Sequence, residues 1–292
     1  MIDSRMIDWR MVFVSGKGGV GKSAITASLA LSEARRGGRV LVIGMVESIG
    51  AASHLSAQPL GYEPRRVRPG IDALAVNRSD ALDEYLRLQL PVPKAAPTRV
   101  LTRALSVLAE TAPGVREIVT IGKPVYEMWR SNYDLVLVDA PPLGQLFSYL
   151  RAPSTIAELV PAGPIRAQAE RMSAALGDPE AAALIIVTTP DELPVRETQE
   201  LLGQIEAEPV IRLAGVVANR VLPDLSLTDT EIDTLPSGPH QDAARHHHEV
   251  YTRQQRWLNE LPDGPRLPYL FGIHTAGEVG EKLADVWEEV SW

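Results

Sequence analysis

Apolar positions along this chain fall into two alternating rhythms. Short apolar runs, over 11–14, 39–43, 71–77, 133–139, 183–188 and 213–220, read as strands, those over 39–43 and 183–188 as buried ones. Between them lie stretches with helical spacing and few breakers. One starts at Ala24 and meets no Gly or Pro before Gly37. Others cover 81–90, stopped by Pro91 and Pro93, then 99–110, and then 113–130 with a break or kink expected at Pro124. The segment 140–144 reads as a sharp, rigid loop, and helix resumes only from Pro153, punctuated by Pro161-Ala162-Gly163-Pro164. Further helices are expected over 165–176, 195–207 and 241–261. In the last helix Val279, Leu283, Val286, Trp287 and Val290 form one stripe that predicts core packing. Strand and helix alternate with short connections, so the expected fold is α/β, a doubly wound, mostly parallel sheet.

Three segments depart from this rhythm. Arg65-Arg66-Val67-Arg68 reads as a solvated basic surface. The helical block between two strands predicts an embedded helical subdomain over 80–130 and about 150–180. Residues 222–264 read as an insertion, exposed over 225–231 and 236–239 and helical afterwards. Its His246-His247-His248 run points three ways around a helix, which disfavours a single-metal site. The whole of 1–292 is expected to form one domain.

The chemistry concentrates directly after the first strand. Gly16-Lys17-Gly18-Gly19-Val20-Gly21-Lys22-Ser23 has the spacing of a phosphate-binding P-loop between a strand and a helix. The glycines Gly16, Gly18, Gly19 and Gly21 let backbone N–H groups turn toward phosphate oxygens, and the N-terminus of the following helix, at Ala24, adds a favourable dipole. Lys22 is the expected charge for the β- and γ-phosphates, and the Ser23 hydroxyl is the expected Mg²⁺ ligand. Asp139 closes an apolar strand, the Walker B pattern, and its carboxylate is expected to face the same metal.

Composition narrows the partners. Lys and Arg total 29 against 37 Asp and Glu, a net charge of −8, which argues against nucleic acid or an anionic membrane. The acids of the last helix argue the same way, against membrane anchoring and against a DNA-partitioning role. There is no cysteine, so disulfides and thiolate metal sites are excluded. The first ten residues lack the apolar core of a signal peptide, and no run approaches the ~18 apolar residues of a membrane span. The expectation is a soluble, cytoplasmic protein with no transmembrane segment.

Lys17 at the second motif position makes G-K-G-G-x-G-K-[ST], the deviant P-loop. Further strings are Leu60-Gly61-Tyr62-Glu63, Pro113-Gly114-Val115-Arg116-Glu117 and Asp139-Ala140-Pro141-Pro142. Gly163-Pro164-Ile165-Arg166-Ala167-Gln168-Ala169, Leu193-Pro194-Val195-Arg196-Glu197-Thr198 and Asn219-Arg220 follow. With these the chain resembles the arsenite-pump ATPase family, which includes the ATPases that guide tail-anchored membrane proteins. It looks most like the actinobacterial anion-transporting branch. The resemblance covers about 9–220 and returns at Leu267-Pro268. It implies a P-loop NTPase fold, ATP and Mg as cofactors, and a homodimer or a heterodimer with a homologous ATPase. It also implies slow hydrolysis coupled to a hydrophobic protein client or partner. Lys17 would reach the phosphates of the other subunit, Asp139 would open switch II, Asn219 and Arg220 would meet the adenine, and Pro268 would close over the base.

Two positions depart from that family. Val46 stands where switch I has an acid, with Glu47 one residue beyond as the candidate replacement, and Leu143 stands where switch II usually has threonine. ATP binding is thus a firmer expectation than hydrolysis. The alternative is a catalytically weak nucleotide-binding subunit working with an active homologue.

Overall fold

The computed structural model describes residues 7–45, 50–89 and 114–290. Val46 and Glu47, the breakers Pro91 and Pro93, the helix expected over 99–110, and Pro113 lie outside the described residues. Among the described residues one sheet of eight strands organises the chain. In chain order its elements are β1 (Met11–Gly16), α1 (Lys22–Arg35), β2 (Val40–Gly44), α2 (Gly50–His54), β3 (Arg65–Arg68) and β4 (Ile71–Ala75). Next come α3 (Arg78–Gln89), α4 (Val115–Arg130), β5 (Leu135–Asp139), α5 (Leu143–Leu159), α6 (Pro164–Gly177) and β6 (Ala182–Thr188). The chain continues through α7 (Glu192–Ala207), β7 (Arg212–Val221), α8 (Asp229–Thr234), α9 (Pro239–Leu258), β8 (Arg266–Pro268) and α10 (Ala276–Val286).

The strand order is β3-β4-β2-β5-β1-β6-β7-β8, parallel throughout except for the antiparallel edge pair β3–β4. Alternate residues of the central strands feed two cores, which is the period of a pleated strand. Met11, Phe13, Leu41, Ile43, Val136 and Val138 join the core under α4, α5 and α6. Val12, Val14, Val40, Val42, Leu135 and Leu137 join the core under α1 and α10. Burial on both faces is why these strands read as unbroken apolar runs. The register sets Val14 beside Asp139, Gly44 beside Asp139, and Gly16 beside Val187. The C-terminal strand ends therefore gather at one rim, where open α/β sheets take ligands.

The structure corrects the sequence reading at four places. The basic segment 65–68 is an edge strand, not merely solvated surface. Arg65 donates to the Gln58 carbonyl at 2.7 Å, Arg68 to the Leu55 carbonyl at 2.8 Å, and Arg66 pairs with Asp72. Charged side chains on an edge strand also discourage pairing with another chain. The segment 140–144 is only partly loop, because α5 starts at Leu143, ten residues before the expected restart, and carries Pro153 inside it. Pro124 does not end its helix, since α4 runs from Val115 to Arg130. In both helices buried residues flank the proline, Leu150 and Ile156 in one and Ile121 and Val125 in the other. Each such side chain contributes roughly 1.5–3 kcal/mol, enough together to offset the ~3 kcal/mol that an interior proline costs. Finally, the expected excursion over 225–231 contains the start of α8, capped by Thr228 and Glu231 in a reciprocal box. The T-x-x-E spacing announcing that helix was present in the sequence.

Candidate functional site

The loop between β1 and α1 sits at the sheet's ligand rim. Gly21, at φ 99°, is the N-cap of α1, a left-handed conformation that favours glycine. A Cβ there would also lie 2.3 Å from the Asn219 amide, so side chains are excluded twice. Val20 and Ala24 turn their side chains into the core. They can meet a phosphate only through their backbone N–H groups, and the first turn of a helix leaves such groups without intrahelical partners. Lys22 Nζ donates to the Lys17 carbonyl at 3.1 Å, and Ser15 Oγ donates to the Pro141 carbonyl at 2.6 Å. The first bond folds the P-loop back on itself. The second joins β1 to the segment after Asp139.

Ser23 and Asp139 meet directly. Ser23 Oγ donates to Asp139 Oδ2 at 2.7 Å, and the Ala51 N–H reaches the same oxygen at 3.2 Å. Gly50, at the start of α2, closes over both. A Cβ on it would fall 2.7 Å from Asp139 Oδ2 and 3.0 Å from Ser23 Oγ. The sequence reading missed Gly50, because a lone glycine in a loop carries no motif. A hydroxyl and a carboxylate at this separation fit Mg²⁺, which prefers hard oxygen donors and is held by few protein groups besides the substrate's phosphates. Among the described residues no group of three or more His, Cys, Asp or Glu is placed to hold a metal.

At its far end α2 meets α10. His54 Nδ1 lies 2.9 Å from the Ala276 carbonyl, and burial pushes the ring's pKa below the ordinary value, against the upward pull of that contact. At the surface, Glu281 and Asp285 of α10 and Glu288 just beyond it all pair with Arg35 of α1.

On the other side of the P-loop a cavity of about 440 Å³ opens between the strand ends. Lys17, Gly19, Asp191, Arg220, Gln254 and Tyr269 help line it. Asn219 is buried with its amide turned toward the P-loop, donating to the Val20 carbonyl at 2.8 Å. Arg220 follows with φ 61°. Pro268 ends β8, and the next residue, Tyr269, is the one that reaches the cavity. Lys17 turns toward α7, where its Nζ lies 2.7 Å from Glu197 Oε1. The P-loop residues Gly16 to Ala24, Asp139, Asn219 and Arg220 are thus gathered at one rim. The candidate acid Glu47 lies outside the described residues.

Gln254 is a second residue the sequence did not reveal. It sits on α9, buried, and spans the turn that ends β7. Its Oε1 accepts from the Leu222 N–H at 2.8 Å and its Nε2 donates to the Arg220 carbonyl at 3.3 Å. The insertion therefore fastens the backbone that presents Asn219 to the P-loop. Gln254→Leu removes two hydrogen bonds to partly buried backbone groups, each worth about 0.5–1.5 kcal/mol. Nucleotide affinity is expected to fall about tenfold, the effect of ~1.4 kcal/mol. Titration calorimetry checks this, and an unchanged affinity in a folded variant removes the role.

Comparison with known proteins places the chain in a family. The family model described as anion-transporting ATPase matches residues 9–162. The chain is 32% identical over 231 residues to ATPase BagA of Mycobacterium tuberculosis, covering 75% of this chain and 67% of that protein. It is 25% identical over 263 residues to an ATPase ASNA1 homolog of Entamoeba dispar, covering 76% and 79%. With ATPase get3 of Schizosaccharomyces pombe it shares 27% identity over 159 residues, covering 53% and 46%. No helix among the described residues is long and apolar enough to cross a membrane.

Proposed function

Since the chain belongs to the anion-transporting ATPase family and is an ATPase, we propose that it binds Mg·ATP in the P-loop and works as a dimeric switch. The observation that carries this reading is the Ser23–Asp139 contact at 2.7 Å beside the P-loop. It sets a hydroxyl and a carboxylate side by side, oxygen donors of the kind Mg²⁺ takes.

Each residue then has a task. The N–H groups from Gly18 to Ala24 and the Lys22 ammonium hold the phosphates. Ser23 and Asp139 are the oxygens that would hold Mg²⁺. When bound, the ion neutralises charge on the β- and γ-phosphates. The cavity beside Tyr269 and Arg220 takes the base, with Asn219 bracing the loop below it and Pro268 setting the path of the closing segment. Lys17 serves the phosphates of a second subunit, and γ-phosphate contacts bias the pair toward its closed state. The whole is read as one domain with helical embellishments over 80–130, about 150–180 and 222–264. A hydrophobic client or a partner protein is its cargo. Leu159 and Ile165, 68% and 44% exposed at the turn between α5 and α6, are a starting point for mapping it.

A second reading, a catalytically weak subunit of a heteromer, is favoured by Leu143. Its side chain is buried at the start of α5 and brings no hydroxyl to the loop after Asp139. Light scattering coupled to size exclusion separates the two, run with ADP and with a non-hydrolysable ATP analogue. An analogue-dependent dimer that is lost in Lys17→Ala is the expected result. A monomer under both nucleotides, or a dimer indifferent to them, moves the assignment to the heteromer.

A further inference from the structure

The lysine that defines the deviant P-loop is already occupied. Lys17 Nζ lies 2.7 Å from Glu197 Oε1, on the second turn of α7. That turn is held firmly. Val195 and Leu201 are buried beneath it, and Thr198 Oγ1 donates to the Pro194 carbonyl at 2.8 Å. The neighbouring cation Arg196 pairs instead with Glu192 at 2.9 Å and lies over the Trp257 ring. Glu197 is thus presented to Lys17 by a rigid helix, beside the cavity that Lys17 also lines.

The pair is also weak enough to exchange. The Lys17 and Glu197 side chains are 30% and 41% exposed, and ion pairs open to water in this way hold by a factor of roughly two to five. A polyphosphate brings several negative charges and competes for the same ammonium. We propose that Glu197 is a positioning residue that keeps Lys17 off the phosphate site until nucleotide displaces it. The inference rests on the reading that the P-loop binds nucleotide. It adds a threshold set by one carboxylate: Lys17 leaves α7 only when a more strongly charged partner arrives, whether bound by its own subunit or by the next.

The test is the affinity of a non-hydrolysable ATP analogue with Mg²⁺, measured by titration calorimetry on the full chain. Glu197→Gln keeps the shape and removes the charge, and is expected to bind about two- to fivefold tighter at low salt. Glu197→Asp, with a shorter reach, should fall between Glu197→Gln and the native chain. The gain should shrink at high salt, where the native pair is itself screened, and vanish when Lys17→Ala is the background. Unchanged or weaker binding by Glu197→Gln overturns the proposal, as does a gain of equal size without Lys17. A Glu197 acting only through its own charge on the polyphosphate would give the same gain with or without Lys17. Light scattering on the same samples separates this inference from the switch. Tighter binding by a chain that stays monomeric keeps the Glu197 role and removes the dimer. An analogue-dependent dimer with no Glu197→Gln shift does the reverse.

Discussion

Gly50→Ala is expected to lower Mg-dependent ATP turnover about a hundredfold, the effect of moving a reacting group by ~1 Å. The added methyl would stand 2.7 Å from Asp139 Oδ2 and 3.0 Å from Ser23 Oγ. The first is shorter than such atoms tolerate and the second is tight, so α2 must retreat or the Ser23–Asp139 pair must open. Gly50 is not among the glycines with positive φ, so alanine fits the backbone and the damage is confined to the site. Turnover measured against Mg²⁺ concentration, beside a melting curve, checks this. Lost turnover with a nearly unchanged melting temperature is the expected pair of results. Native turnover in Gly50→Ala would mean that the geometry of Ser23 and Asp139 does not limit the reaction.

Lys123→Met is expected to destabilise the fold by about 3–5 kcal/mol, the usual result of breaking a buried ion pair from one side. The Lys123 and Glu127 side chains are each 1% exposed, with Nζ 2.9 Å from Glu127 Oε1. Glu84 lies 3.1 Å away on the other side, and the Tyr62 ring centroid 4.5 Å from the ammonium. Without Lys123, the Glu127 carboxylate stays buried between α4 and its neighbours, and the nearest remaining cation, Arg130, is 3.9 Å away. The double variant Lys123→Met with Glu127→Leu removes both charges and should recover most of the loss. Denaturant unfolding of the two variants decides it, and a single variant within ~1 kcal/mol of the native chain refutes the account.

The same cluster carries a pH signature. Burial pushes the Lys123 pKa down, but hydrogen bonds and charge from Glu127, then Glu84, outweigh it and hold the pKa above the ordinary 10.5. A cation whose folded pKa is raised stabilises fully below its unfolded value. This contribution is therefore lost only in alkali, as pH climbs through the raised value.

Much of this molecule is legible in its sequence. The alternation of β-branched runs with helical stretches announced a parallel α/β sheet, because strands covered on both faces leave no polar alternation. The P-loop was legible for a different reason. Its glycines, Lys22 and Ser23 stand at fixed neighbouring positions, so the motif is written as local spacing. Asp139 was found because the residue that ends an apolar strand lands on the ligand rim.

What escaped the sequence depends on residues distant in the chain. Gly50 matters only because Ser23 and Asp139 arrive beneath it, and Gln254 only because α9 packs against the end of β7. Lys17 and Glu197 are 180 positions apart, and nothing local tells a solvated lysine from one already paired. Pro124 read as a break or kink, and Pro153 as the start of a helix, because propensity is a local quantity, and tertiary burial overrode it in α4 and α5. Sequence alone thus determined the fold class, the family and the phosphate loop, all encoded in periodicity and short spacing. Only the tertiary structure decided which residues stand over Ser23 and Asp139, fasten the end of β7 and pair with Lys17, because those contacts exist only once the sheet has brought remote strand ends to one rim.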